Sequence, residues 1–143
     1  MSTKDDVRKA SQQFYAALNN MLDGDMGPLA EIWSHGEEVT AMHPIGGRNT
    51  GWKDVQEAFM GVSQIASEGQ VKLVEQTIQV DGDMAYELGI EKGQAVLAGQ
   101  DISINNRVTN IYRREAGAWK MVHHHTDVSQ GMVDLLNRLQ SEM

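Results

Sequence analysis

The stretch Arg107–Asp127, RVTNIYRREAGAWKMVHHHTD, constrains the fold more than any other part of the chain. Two runs rich in β-forming residues flank Glu115-Ala116-Gly117, the pattern of a β-hairpin. A type I turn with Gly117 left-handed fits this loop, because a two-residue primed turn would force Ala116 to positive φ against its Cβ. That register sets Arg113 against Trp119, Asn110 against Val122 and Val108 against His124. Strand alternation then puts Val108, Asn110, Tyr112, Val122, His124 and Thr126 on one face. Arg107, Thr109, Ile111, Trp119, Met121, His123 and His125 fall on the other, and a one-residue slip in either arm would change the match.

The remaining sequence is read around this hairpin. Val7, Ala10, Phe14, Ala17, Leu18 and Met21 recur at helical spacing after Thr3-Lys4-Asp5-Asp6, which can open a helix. Pro28 starts a second short helix with Leu29, Ile32 and Trp33 on its apolar side. Glu38–His43 reads as a strand stopped by Pro44, with Val39, Ala41 and His43 on one face. Gly46–Asn49 reads as a loop. Trp52, Val55, Phe59 and Val62 form the buried stripe of a third helix. From Gln70 to Val128 the pattern is an antiparallel meander. Val74, Ile78 and Val80 share a face of its first strand. Tyr86, Leu88 and Ile90 alternate with Glu87, Gly89 and Glu91 in the next. A last helix carries Met132, Leu135, Leu136 and Leu139. Helices followed by a curved antiparallel sheet make an α+β layout in one domain, residues 1–143.

Charge narrows the partners. Twelve basic against 20 acidic residues give a net charge of −8, which argues against nucleic acid and anionic membranes. The chain has no cysteine, so thiolate metal sites and disulfides are out and a reducing cytoplasm is the expected location. MSTKDDVRKA lacks the apolar core of a signal peptide, and no apolar run is long enough for a membrane span. A sheet covered by helices on one side leaves its other face with Ile111, Trp119 and Met121, so a homodimer through that outer face is expected.

Four segments carry a resemblance: FYAALNNMLDGDMGPLAEIW, AMHPIGG, DMAYELG and YRREAGAWKMVHHHTD. Together, from about Val7 to Ser129, the chain resembles the SnoaL-like and ketosteroid-isomerase-like branch of the nuclear transport factor 2 fold superfamily. Its end is also similar to the association domain of calcium/calmodulin-dependent kinases. The resemblance implies a cone-shaped (cystatin-like) fold, with the sheet wrapped around a pocket and closed by helices. This fold hosts enzymes, transport factors and oligomerisation domains, so it bears on architecture more than on chemistry.

The resemblance also implies a site. In ketosteroid isomerases the residue before the matching proline is an aspartate base, and that position here holds His43. The oxyanion aspartate corresponds to Asn110, or to Thr109 if the turn is one residue shorter. The family tyrosine falls near Ala17, with Tyr15 two residues away. These departures argue against steroid isomerisation itself. His43 can still shuttle a proton near neutral pH, Asn110 can donate to a carbonyl oxygen, and His124 adds a titratable group on the same face. The plainer alternative for His43 is a buried histidine bonded to a backbone carbonyl.

Around these catalytic candidates, Tyr15, Trp33, Trp52, Phe59, Tyr86, Leu88, Val108, Tyr112 and Val122 are expected to line a mostly apolar pocket, although the tryptophans and Phe59 serve equally as core. His123 and His125 point outward, where Glu87 and Arg107 can pair with them. Two histidines at i, i+2 can hold zinc, but a third ligand requires conflicting faces, so neither metal nor cofactor is expected. The function expected is binding of a small apolar metabolite, with cofactor-free isomerisation, hydration or dehydration. The alternative is a non-catalytic ligand-binding or oligomerisation module.

Overall fold

The computed structural model describes residues 3–141. Helices α1 (Thr3–Met21), α2 (Gly27–Ile32) and α3 (Trp52–Ser63) pack on one face of a curved six-stranded sheet, and α4 (Gln130–Ser141) follows it. The strands are β1 (Thr40–His43), β2 (Gly46–Thr50), β3 (Ala66–Asp81), β4 (Met84–Leu97), β5 (Gln100–Glu115) and β6 (Ala118–Thr126), in spatial order β2-β1-β6-β5-β4-β3. All neighbours are antiparallel except β1 and β6, which run parallel. The expected α+β architecture is therefore present. Gly46–Thr50, expected as a loop, instead turns back on β1 as a strand.

Curvature comes from irregularities in β3. Its register with β4 shifts between Ser67 and Gln70 and again between Val74 and Thr77, with Glu68 and Glu75 at φ 55° and 54°. Such bulges bend a strand and sharpen its twist. The second one separates residues expected on one face: Val74 lies opposite Ile90, whereas Ile78 lies opposite Glu87 and is buried. Gly93 makes the first bend possible, since a Cβ there would sit 1.8 Å from the carbonyl oxygen of Gln70.

The organising hairpin closes differently from its sequence expectation. Glu115 pairs with Ala118 and Arg114 with Trp119, leaving a two-residue turn in which both Ala116 (φ 50°) and Gly117 (φ 82°) are left-handed. The strain expected to exclude this turn is accepted, because a primed turn matches the twist of the two long strands. A bulge at Val122 then shifts the register once more, between Tyr112–Met121 and Ile111–His123. Asn110 consequently faces His124, not Val122. Trp119 and Met121 turn inward beside Arg114 and Tyr112 and are buried. The apolar outer strip expected from them does not exist.

A second reversal lies in β4. Its buried side is Ala85, Glu87, Glu91, Ala95 and Leu97, while Tyr86 and Leu88 are 45% and 41% exposed. The expectation that Tyr86 and Leu88 line the pocket is overturned by this parity. Among the described residues no helix is long and apolar enough to cross a membrane.

The strained turn offers a stability test. Ala116→Asn creates the Asn-Gly pair that left-handed turns prefer, and it should raise unfolding free energy by about 0.5–1 kcal/mol in a denaturant titration.

Candidate active site

Three elements aim polar groups into the interior. On α1, Ser11, Phe14, Tyr15 and Leu18 recur at steps of three and four and share the buried stripe. On β4, Glu87 and Glu91 face inward with Gly89 between them. On β5, Asn106, Val108, Asn110 and Tyr112 do the same. A buried carboxyl must find donors, and these do. Glu87 accepts from Tyr112 Oη at 2.9 Å, Asn110 Nδ2 at 3.0 Å and Gln76 Nε2 at 2.7 Å. Glu91 Oε2 accepts from Tyr15 Oη at 2.9 Å, and Tyr15 Oη in turn accepts from Asn110 Nδ2 at 3.1 Å.

Because the amide nitrogen of Asn110 donates twice, its Oδ1 is the atom that meets His124 Nδ1, 2.6 Å away. His124 therefore carries its proton on Nδ1. The expectation that Asn110 donates to a ligand oxygen fails here, since Glu87 and Tyr15 use its amide. Asn110 instead links His124 to Tyr15 and so to Glu91. Thr109, the alternative position, faces outward: the short turn and the bulge at Val122 together shift the pairing by two residues, which leaves Asn110 on the inner face.

His43 closes β1 just before Pro44, where the β1–β2 register shifts. Its ring meets Phe59 edge-on, with centroids 4.9 Å apart, and His124 lies 5.3 Å from Phe14. His43 and His124 share the wall of a cavity of about 60 Å³ with Glu91 and Asn106, and Phe59, Leu18, Val71, Leu97 and Met132 are among its apolar lining. Two buried polar atoms of this wall lack a partner: His43 Nε2 and Asn106 Nδ2.

Burial sets the protonation states. It holds His43 below the usual histidine value, with a hydrogen bond to the Asn49 side chain working against it. Burial, then the nearby His43, pushes His124 down to about 3, so both rings are neutral near pH 7. Glu91 moves the other way, lifted by burial to about 7 despite the Tyr15 hydrogen bond.

The structure thus brings His43, His124 and Phe59 to one cavity, with Tyr15, Asn110 and Tyr112 bonded behind its wall. Val108 and Val122 are buried in the sheet interior without lining the cavity. Trp33 and Trp52 form a separate aromatic cluster, 6.1 Å apart, that meets the site where Trp33 approaches Phe59. Outside, His123 bonds Thr40 Oγ1 at 2.6 Å and Arg107 bonds Asp127 at 2.9 Å. The expected pairing of these histidines with Glu87 and Arg107 is absent, because Glu87 points inward. Among the described residues no three His, Asp or Glu side chains are grouped to hold a metal ion.

Glu91 and Asn106 were missed as site residues. A signal was present: Gly89 and Gly93 share parity with Glu87 and Glu91, and a Cβ at Gly89 would come within 2.6 Å of Leu73. Glycines at one parity mark the crowded concave face.

With this arrangement established, sequence comparison settles the family. The profile described as a SnoaL-like domain matches residues 7–129. The chain belongs to the SnoaL-like family. No protein with a curated description matches it. Among solved structures, this SnoaL-like chain is similar to a provisionally assigned dehydratase of the nuclear transport factor 2-like family from Streptomyces avermitilis, with 22% identity, 88% and 95% of the two chains covered and a TM-score of 0.78. It is also similar to a provisionally assigned association domain of a type II calcium/calmodulin-dependent protein kinase from Thiobacillus denitrificans, with 25% identity, 86% and 94% coverage and a TM-score of 0.67. A provisionally assigned ketosteroid isomerase from Parabacteroides distasonis shares 16% identity over 90% and 89% of the chains, with a TM-score of 0.67.

The raised Glu91 yields a pH test. Its protonated form is favoured by the fold, so its stabilising contribution is complete below its ordinary value of 4.5 and lost as pH rises through about 7. Glu91→Gln should match the wild type at pH 4 and exceed it by an amount on the order of 3 kcal/mol at pH 8 in denaturant titrations. His124 acts in the opposite sense, losing stability as pH falls from 6.5 toward about 3, but it is common to both proteins and cancels from the difference.

Proposed function

We propose that this SnoaL-like protein binds a small, mainly apolar metabolite in its interior cavity and acts on it by cofactor-independent acid–base chemistry, as an isomerase or a hydratase/dehydratase. The observation that carries this reading is His43 Nε2: a buried, unpartnered ring nitrogen on the wall of a mostly apolar cavity. A structural histidine would have its polar atoms satisfied. Held neutral by burial, His43 is a base able to take a proton from carbon or water. His124 stands beside it, its tautomer fixed by Asn110, which acts as a positioning residue. The unit is read as one SnoaL-like domain over residues 1–143 and, being free of cysteine, as a cytoplasmic protein.

The test is α-proton exchange. Small ketones incubated with the protein in D₂O should take up deuterium faster than in buffer, as followed by proton NMR. His43→Ala should slow this by about 10²–10⁴-fold at little cost in ketone affinity. Exchange unchanged by the substitution would remove His43 from the role of base.

A second property has its own support. Tyr86 and Leu88 are exposed on the outer sheet face, and Tyr86 lies directly opposite the half-buried Ile111. This apolar strip replaces the one expected from Trp119 and Met121, and we read it as a homodimer seam of roughly 800 Å² per partner. Light scattering should give a dimer mass for the wild type and a monomer mass for Leu88→Lys. A monomeric wild type at micromolar concentration would refute the seam.

A further inference from the structure

The cavity has a second group able to carry a proton. Among the described residues its polar side chains are His43, His124, Glu91 and Asn106, and no lysine or arginine lines it. An anionic ligand would meet a carboxyl with no compensating cation, so the site selects neutral molecules. A volume of about 60 Å³ admits only compact ones, with room for roughly four water positions. Glu91 and Asn106 are direct cross-strand partners on β4 and β5, so their side chains leave the sheet about 5 Å apart. The Tyr15 hydroxyl donates to Glu91 Oε2, which leaves Oε1 as the oxygen that bears the carboxyl proton. Asn106 Nδ2 is buried and unpartnered.

We propose that Glu91 is the general acid of this cavity, that Asn106 Nδ2 holds a carbonyl oxygen beside it, and that the substrate class is a compact neutral β-hydroxy ketone from which water is eliminated, or the corresponding enone to which it is added. This rests on the acid–base reading of His43 given above. Adjacent acid and amide match a hydroxyl and a carbonyl separated by two carbons. In the elimination His43 Nε2 takes the proton from the carbon next to the carbonyl. That C–H electron pair becomes the C=C bond as the C–O bond to the hydroxyl breaks. Glu91 supplies the proton that turns the leaving hydroxide into water. The base gains one proton and the acid loses one, and solvent returns both groups to their starting states, so no oxidant, reductant or cofactor is needed. The opposite protonation tendencies of the two groups suit these roles: His43 is kept neutral and Glu91 retains its proton up to about pH 7.

The probe is 4-hydroxy-2-butanone, incubated with the full chain in D₂O. NMR follows two signals together: interconversion with methyl vinyl ketone and deuterium uptake at the carbon next to the carbonyl. Wild type should accelerate both, with dehydration falling above about pH 7 as Glu91 ionises. In Glu91→Gln the ratio of dehydration to exchange should drop by roughly 10²-fold or more. In Tyr15→Phe, which removes a hydrogen bond favouring the ionised carboxylate, the alkaline limb of dehydration should move to higher pH. A Glu91→Gln ratio within about threefold of wild type would overturn Glu91 as the acid while leaving His43 as the base. Should that variant fail to fold, an unshifted alkaline limb in Tyr15→Phe overturns it equally. If wild type accelerates neither reaction, the acid–base reading falls, and this proposal falls with it.

Discussion

Two carboxyl groups facing inward from one strand govern this molecule. Glu87 and Glu91 sit on the concave side of β4, where an unpaired carboxyl would cost several kcal/mol. The fold meets that cost with donors drawn from α1, β3 and β5: Tyr15, Gln76, Asn110 and Tyr112. Each donor fixes the approach of its own element, so the network sets how α1 lies across the sheet as much as the apolar stripe does. Satisfied networks of this kind specify one arrangement, because loss of any member strands the others in a low-dielectric interior. The same bonds reach the cavity at both ends, through His124 and through Glu91, so the scaffold and the chemistry draw on one set of contacts.

The cavity wall divides labour between its apolar and polar parts. Phe14 and Phe59 pack against the two imidazoles and exclude water, which depresses histidine basicity and raises the carboxyl of Glu91. No ion pair is required to produce either shift. The cations near this end of the sheet, such as Arg107 bonded to Asp127, stay on the outer surface.

Much of the fold was legible in the sequence, because helical and strand periodicity over long segments is a strong signal. The stripe Val7–Met21, the stop at Pro44 and the presence of the long hairpin all follow from spacing. What was not legible has two causes, single-residue shifts of register and a strand whose inner face is the polar one. Bulges at Val122 and in β3, together with a strained turn at Ala116, change parity by single residues without leaving a compositional trace, and a single residue exchanges the two faces of a strand. Tyr86 and Leu88 look like core by hydrophobicity, and Glu87 and Glu91 like surface. Only the crowding marked by Gly89 and Gly93 tells them apart. Glu91 and Asn106 were hidden for that reason, whereas His43 was found through a resemblance that fixes it beside a proline.

The hairpin between β5 and β6 behaves as a vernier. Its turn is one residue shorter than the relaxed alternative, and its bulge at Val122 places one extra residue on β6, so together they move the partner of Asn110 by two residues, from Val122 to His124, and an even shift keeps both on the inner face. Neither is independent of the other. An insertion in the turn alone, or a deletion that erased the bulge alone, would roll His123 or His125 into the interior and His124 out to solvent. Length variation in this hairpin is therefore expected to travel in compensating pairs among related chains, and the triple histidine means that a lapse in that compensation would still present an imidazole to the cavity.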